Sequence, residues 1–116
     1  MAKRRPGKLW FKFTLFGLDW EARTVPAKSK TLDKGKTLAC VLYNERVMYY
    51  SDELTLEQQR TAFVHELQHA IEEHADVDYE QAVSPDVAER CTDQIARGWL
   101  YFIRHSPEVI AFLRAE

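Results

Sequence analysis

Two histidines four residues apart, His65 and His69, enclose a glutamate in the run FVHELQHAIEE, residues 63–73. On a helix an i, i+4 pair lies one turn apart on the same face. Two imidazoles so placed can reach one metal ion. Glu66 is turned by about 100° around the axis from His65, so it leans over that ion without ligating it and is placed as a general base. Zn2+ suits the set, because it accepts imidazole nitrogen and carboxylate oxygen in a tetrahedron and keeps one position for water. From average residue frequencies the H-E-x-x-H pattern arises by chance in well under ~1% of chains this long. The spacing therefore favours a site over a solvated helix face of the same composition.

Two histidines alone hold zinc weakly; a catalytic site has three protein ligands. Glu89-Arg90-Cys91-Thr92-Asp93 offers the third. Glu89 and Asp93 are again i, i+4 and share a helix face. If their helix folds back antiparallel, Glu89 ligates the metal. Asp93 then accepts a hydrogen bond from the other ring nitrogen of one histidine, which fixes its tautomer and raises its basicity. Glu80, Asp86 and His74 compete for the third place. The first two lie in or near the connection, and His74 points with the apolar side of the first helix.

The elements that must hold these residues read as strands followed by helices. LWFKFTLF (9–16) and DWEARTVPA (19–27) are strand patterns, the first ended by Gly17 and the second by Pro26. KSKTLDKGK (28–36) reads as a charged loop. TLACVLY (37–43) and RVMYYS (46–51) are further strands, joined by a hairpin turn at Asn44-Glu45. From Thr55 the periodicity is helical, with Thr55-x-x-Gln58 as a capping box, and the first helix runs over about 55–74. Leu56, Phe63, Val64, Leu67, Ala70 and Ile71 form its apolar side, opposite the histidines. Ser84-Pro85 and Ser106-Pro107 start two more helices, about 85–105 and 107–114. The layout predicts an α+β fold: three to four strands in a small antiparallel or mixed sheet, packed on the two long helices.

The chain has 116 residues, enough for one domain, 1–116, with a small core. Apolar residues make up 46% and charged residues 29%, which excludes a disordered chain. No apolar run approaches the ~18 residues of a membrane span, and no secretory signal is legible. Cys40 and Cys91 lack CxxC or finger spacing, so two buried free thiols in a reducing cytoplasm are expected. Residues 1–37 carry ten Lys/Arg against three Asp/Glu, and residues 38–116 carry six against fifteen. A basic sheet edge beside an acidic helical half accounts for this. A nucleic-acid arm at Lys3, Arg4 and Arg5 is not expected, because the cations are scattered and no reader motif accompanies them. The aromatic run around Trp10 and Trp20 could leave an exposed patch.

H-E-x-x-H on a helix is the zinc metalloprotease signature. His65-Glu66-Leu67-Gln68-His69 followed by Glu89-x-x-x-Asp93 resembles the gluzincin arrangement of zinc metallopeptidases. It is most similar to the small single-domain members, the minimal gluzincins and the ImmA/IrrE-like peptidases of bacteria and phages. The strand VMYYS, Thr61 four residues before the motif, and the ending ARGWLYFIRHSPEVIAFL extend the resemblance over roughly residues 37–114; residues 1–36 lie outside it. The resemblance implies a zincin-like fold, a Zn2+ cofactor held by His65, His69 and Glu89, Glu66 as the catalytic base, Asp93 behind a ligand, and a peptide or protein substrate. A strand at the cleft, 46–51, would bind that substrate by strand addition. Tyr79, Arg97, Tyr101 and His105 are oxyanion candidates by residue type alone. A terminal segment, 1–8 or 111–116, could occupy the cleft and make the peptidase latent. The alternative is a zinc-binding regulatory or partner-binding module of phage or mobile-element origin without turnover.

Overall fold

The computed structural model describes residues 5–74, 84–105 and 107–115. It is an α+β structure of four strands, a short 3-10 segment and three helices among those residues: β1 (Lys8–Leu15), β2 (Leu18–Val25), the 3-10 segment Lys30–Gly35, β3 (Ala39–Leu42), β4 (Val47–Ser51), α1 (Leu56–His74), α2 (Pro85–His105) and α3 (Pro107–Arg114). The chain divides into two units, Met1–Ala62 and Phe63–Glu116.

The first unit carries the mixed sheet, in the order β1-β2-β4-β3. β1 and β2 form an antiparallel hairpin. Its two-residue turn is Phe16-Gly17, both at positive φ, as the type I′ turn that matches strand twist requires. β2 pairs with β4 in parallel, Glu21 opposite Val47 through Val25 opposite Ser51, and β3 pairs antiparallel with β4. All five residues of β4, VMYYS, are buried, as expected of a strand covered on both faces. On one face Val25, Val47 and Tyr49 close around Leu32, with Cys40 against them. On the other lie Trp20, Ala22, Met48 and Tyr50, all buried, with Trp10 edge-on to Tyr50.

Several expectations are corrected here. Strand 46–51 cannot take up a substrate strand, because β4 is flanked by β2 and β3 and has no open edge. The charged loop 28–36 contains the 3-10 segment, anchored by the fully buried Leu32. The β3–β4 turn spans Tyr43–Arg46, with Leu42 opposite Val47. Its left-handed residue is Arg46, whose Nε donates to the Asp19 carbonyl at 2.9 Å. Trp20 is a core residue rather than part of an exposed patch. The two cysteines are free but only half-buried.

The first residues described are tied to the sheet. Arg23 donates to the carbonyls of Pro6 at 2.9 Å and Gly7 at 3.0 Å. Glu21 pairs with Arg5 at 2.8 Å and with Arg23 at 3.3 Å, and against its partial burial these two guanidiniums, Arg5 first, hold the Glu21 carboxyl below its usual range. Gly7 has φ +75°, and a Cβ there would fall 2.0 Å from the Thr24 carbonyl oxygen, so only glycine fits. Arg5 is thus structural, while Lys3 and Arg4 lie outside the described residues.

The first two of the three predicted helix starts are formed. Thr55 N–H donates to Gln58 Oε1 at 2.8 Å and Gln58 N–H to Thr55 Oγ1 at 3.2 Å, a reciprocal capping box. Ser84 Oγ accepts from Val87 N–H at 3.3 Å, with Pro85 as the first residue of α2. Ser106, the third predicted cap, lies outside the described residues, and α3 begins at Pro107. No described helix is long and apolar enough to cross a membrane.

Candidate metal centre

The second unit brings the site residues of α1 and α2 together. Of the six apolar residues expected on the buried side of α1, only Ala70 is buried; Leu56 is exposed and the others are half-buried. The buried residues of α1 are instead Glu66, Ala70 and Glu72. The polar side of α1 therefore meets α2, whose buried residues are the small Ala88, Thr92 and Ala96. The seam is joined by polar side chains, which is why a pattern of apolar residues did not reveal it.

Glu89 stands between the two imidazoles. Nε2 of His65 lies 2.6 Å from its Oε1 and Nε2 of His69 lies 3.2 Å from its Oε2. One donor atom from each of His65, His69 and Glu89 falls within 4.8 Å of the others. Tetrahedral zinc with ligands at about 2.0–2.1 Å needs donors roughly 3.3 Å apart, a spacing that modest side-chain rotation would give this set. Two imidazoles and one carboxylate, with Glu89 58% exposed at its side chain, fit an open site with room for a fourth ligand. Asp86 and His74 are exposed and stand outside this group. Glu80 and Tyr79 lie outside the described residues.

The other ring nitrogens face carboxylates. Nδ1 of His65 is 3.2 Å from Oδ1 of Asp93, the outer partner that the spacing predicts. Burial works against the charge on Asp93, but hydrogen bonds from Arg97 and His65 outweigh it and hold the carboxyl below its usual range. Nδ1 of His69 is 3.6 Å from Oε2 of Glu72. Sequence reasoning missed Glu72. It is i+3 from His69 and shares the histidine face of the helical wheel, a signal that was available.

Glu66 is 8% exposed. Burial pushes its carboxyl above the usual carboxylate range, His69 and His65 pull it down, and Glu89 pushes it further up. It supplies no atom to the three-residue donor group, as its offset around the helix requires.

The oxyanion candidates fare differently. Arg97 donates from Nε to Asp93 Oδ2 at 2.8 Å. Tyr101 and His105 pack against one another with ring centroids 4.4 Å apart and the rings tilted by 39°. At 1.5 Å per residue they lie about 18 and 24 Å along α2 from Glu89. Neither is at the candidate centre.

Compared with protein families, with curated proteins and with solved structures, the chain gives no match. The likeness to the minimal gluzincins therefore rests on the quoted residues alone.

Proposed function

We propose that this chain is a zinc-dependent metallopeptidase with a zincin-like centre, acting on a peptide or protein substrate. The observation that carries the proposal is the convergence of both Nε2 atoms on the single Glu89 carboxylate, next to a buried glutamate that ligates nothing. His65, His69 and Glu89 hold the metal. Asp93 accepts from Nδ1 of His65 and so keeps the Nε2 lone pair turned towards it. When bound, Zn2+ supplies Lewis acidity, polarising a carbonyl and lowering the pKa of a water towards ~7. Glu66 takes the proton of the attacking water on its carboxylate and passes it to the leaving nitrogen. Its burial favours the protonated form, which suits a group that must hold a proton between two transfers.

A second reading, a zinc-binding regulatory or latent partner-binding module, is favoured by one observation. Among the oxyanion candidates that are described, Arg97 is engaged by Asp93 and Tyr101 and His105 lie remote from Glu89. The test is cleavage of unfolded protein substrates by the zinc-loaded chain, before and after stripping with a chelator. Cleavage that vanishes on stripping and returns with zinc is expected. Tight zinc binding without cleavage transfers the case to the second reading, and a chain that takes no zinc overturns both.

A further inference from the structure

We propose that Glu72, held in place by Thr92, is the positioning residue for His69, as Asp93 is for His65; this rests on the reading of His65, His69 and Glu89 as metal ligands. Among the described residues of α1 and α2, the buried polar side chains are Glu66, Glu72 and Thr92. Glu72 is 9% exposed and Thr92 1% exposed. Thr92 Oγ1 lies 3.1 Å from Oε1 and 3.2 Å from Oε2 of Glu72. Gln68 Nε2 donates to Oε1 at 3.2 Å.

A carboxylate removed from water is costly unless it is paired. Among the described residues the ionisable partner of Glu72 is His69, and no Lys or Arg pairs with it. Bridging two helices would be done at lower cost by a neutral amide. What the charge adds is attraction for a proton on the Nδ1 that faces it. At 3.6 Å the contact is longer than a hydrogen bond, and a shift of about half an ångström brings it into range.

The consequence for the site is symmetric. Each imidazole directs Nε2 at Glu89 and Nδ1 at a carboxylate, Asp93 for His65 and Glu72 for His69. One face of α2 supplies Glu89 as ligand, Asp93 as the partner of one histidine, and Thr92 as the clamp on Glu72, the α1 partner of the other.

The test measures zinc affinity by chelator competition, melting of the metal-free protein, and the ring-nitrogen NMR signals of His69 and His65. Glu72→Gln and Thr92→Val should weaken zinc binding about 10–100-fold, and Thr92→Ser, which keeps the hydroxyl, should stay within about threefold of the parent. In the metal-free protein, where Glu89 also draws a proton to Nε2 of His69, both weakening variants should lower the share of the His69 proton on Nδ1 and leave His65 unchanged. A purely structural role would lower the melting temperature without moving the tautomer. Zinc affinity and His69 tautomer both unchanged in Glu72→Gln would overturn the inference, even if Thr92→Val fails to fold. If the parent chain takes no zinc, the ligand reading fails instead, and the metal-free tautomer still decides whether Glu72 controls His69.

Discussion

Glu66→Gln keeps one zinc per chain and loses peptide hydrolysis by roughly 10²–10⁴-fold, the usual contribution of a positioned general base. The amide has the shape of the carboxyl but cannot accept the water's proton. Glu66 lies outside the donor group formed by His65, His69 and Glu89, so metal content should not fall. The same variant makes a stability prediction with a definite sign. Burial raises the Glu66 carboxyl above its ordinary value near 4.5, so the folded chain prefers the neutral form. Ionised Glu66 therefore destabilises the metal-free fold once the pH exceeds the unfolded value, and the cost grows until the folded value is passed. Gln removes that cost. Metal-free Glu66→Gln should melt no lower than the parent at pH 7, and the difference should shrink below about pH 4. A variant that still cleaves at the parent's rate removes Glu66 from the mechanism. One that loses zinc makes Glu66 a ligand.

Glu89→Ala separates binding from folding. With the third ligand gone, zinc affinity should fall by more than the roughly 10–100-fold that loss of an outer partner costs. Glu89 is 58% exposed at its side chain, so loss of its contacts with the two imidazoles should move metal-free stability by no more than about 1 kcal/mol, as for a solvent-exposed pair. Asp86→Ala, one turn earlier on α2, should change neither. Chelator competition and thermal melting measure the two quantities. Unchanged affinity in Glu89→Ala would assign the third position to another residue.

What could be read in advance was what helical periodicity and local capping determine. His65 and His69 one turn apart, Glu89 and Asp93 one turn apart, the Thr55–Gln58 box and the Ser84-Pro85 start all depend on residues close in sequence, and all are placed as their spacing requires. The misses depend on partners far away. Nothing near VMYYS announces that β2 will pair with it in parallel and bury it between two neighbours. Leu32 sits among lysines, yet it anchors the segment that covers one sheet face. Glu72 looks like one more acid in the run IEEH until Thr92, twenty residues on, is seen donating to it. A seam joined by carboxylates, imidazoles and a hydroxyl carries no apolar stripe, so hydrophobic periodicity alone does not mark it.

The most direct measurement is zinc-edge X-ray absorption on the purified, zinc-loaded chain. Two imidazole nitrogens and a carboxylate oxygen at about 2.0–2.2 Å are predicted, with the oxygen shell altered in Glu89→Ala. A shell of sulfur at about 2.3 Å, drawn from Cys40 or Cys91, or a chain that retains no zinc at all, would contradict the account.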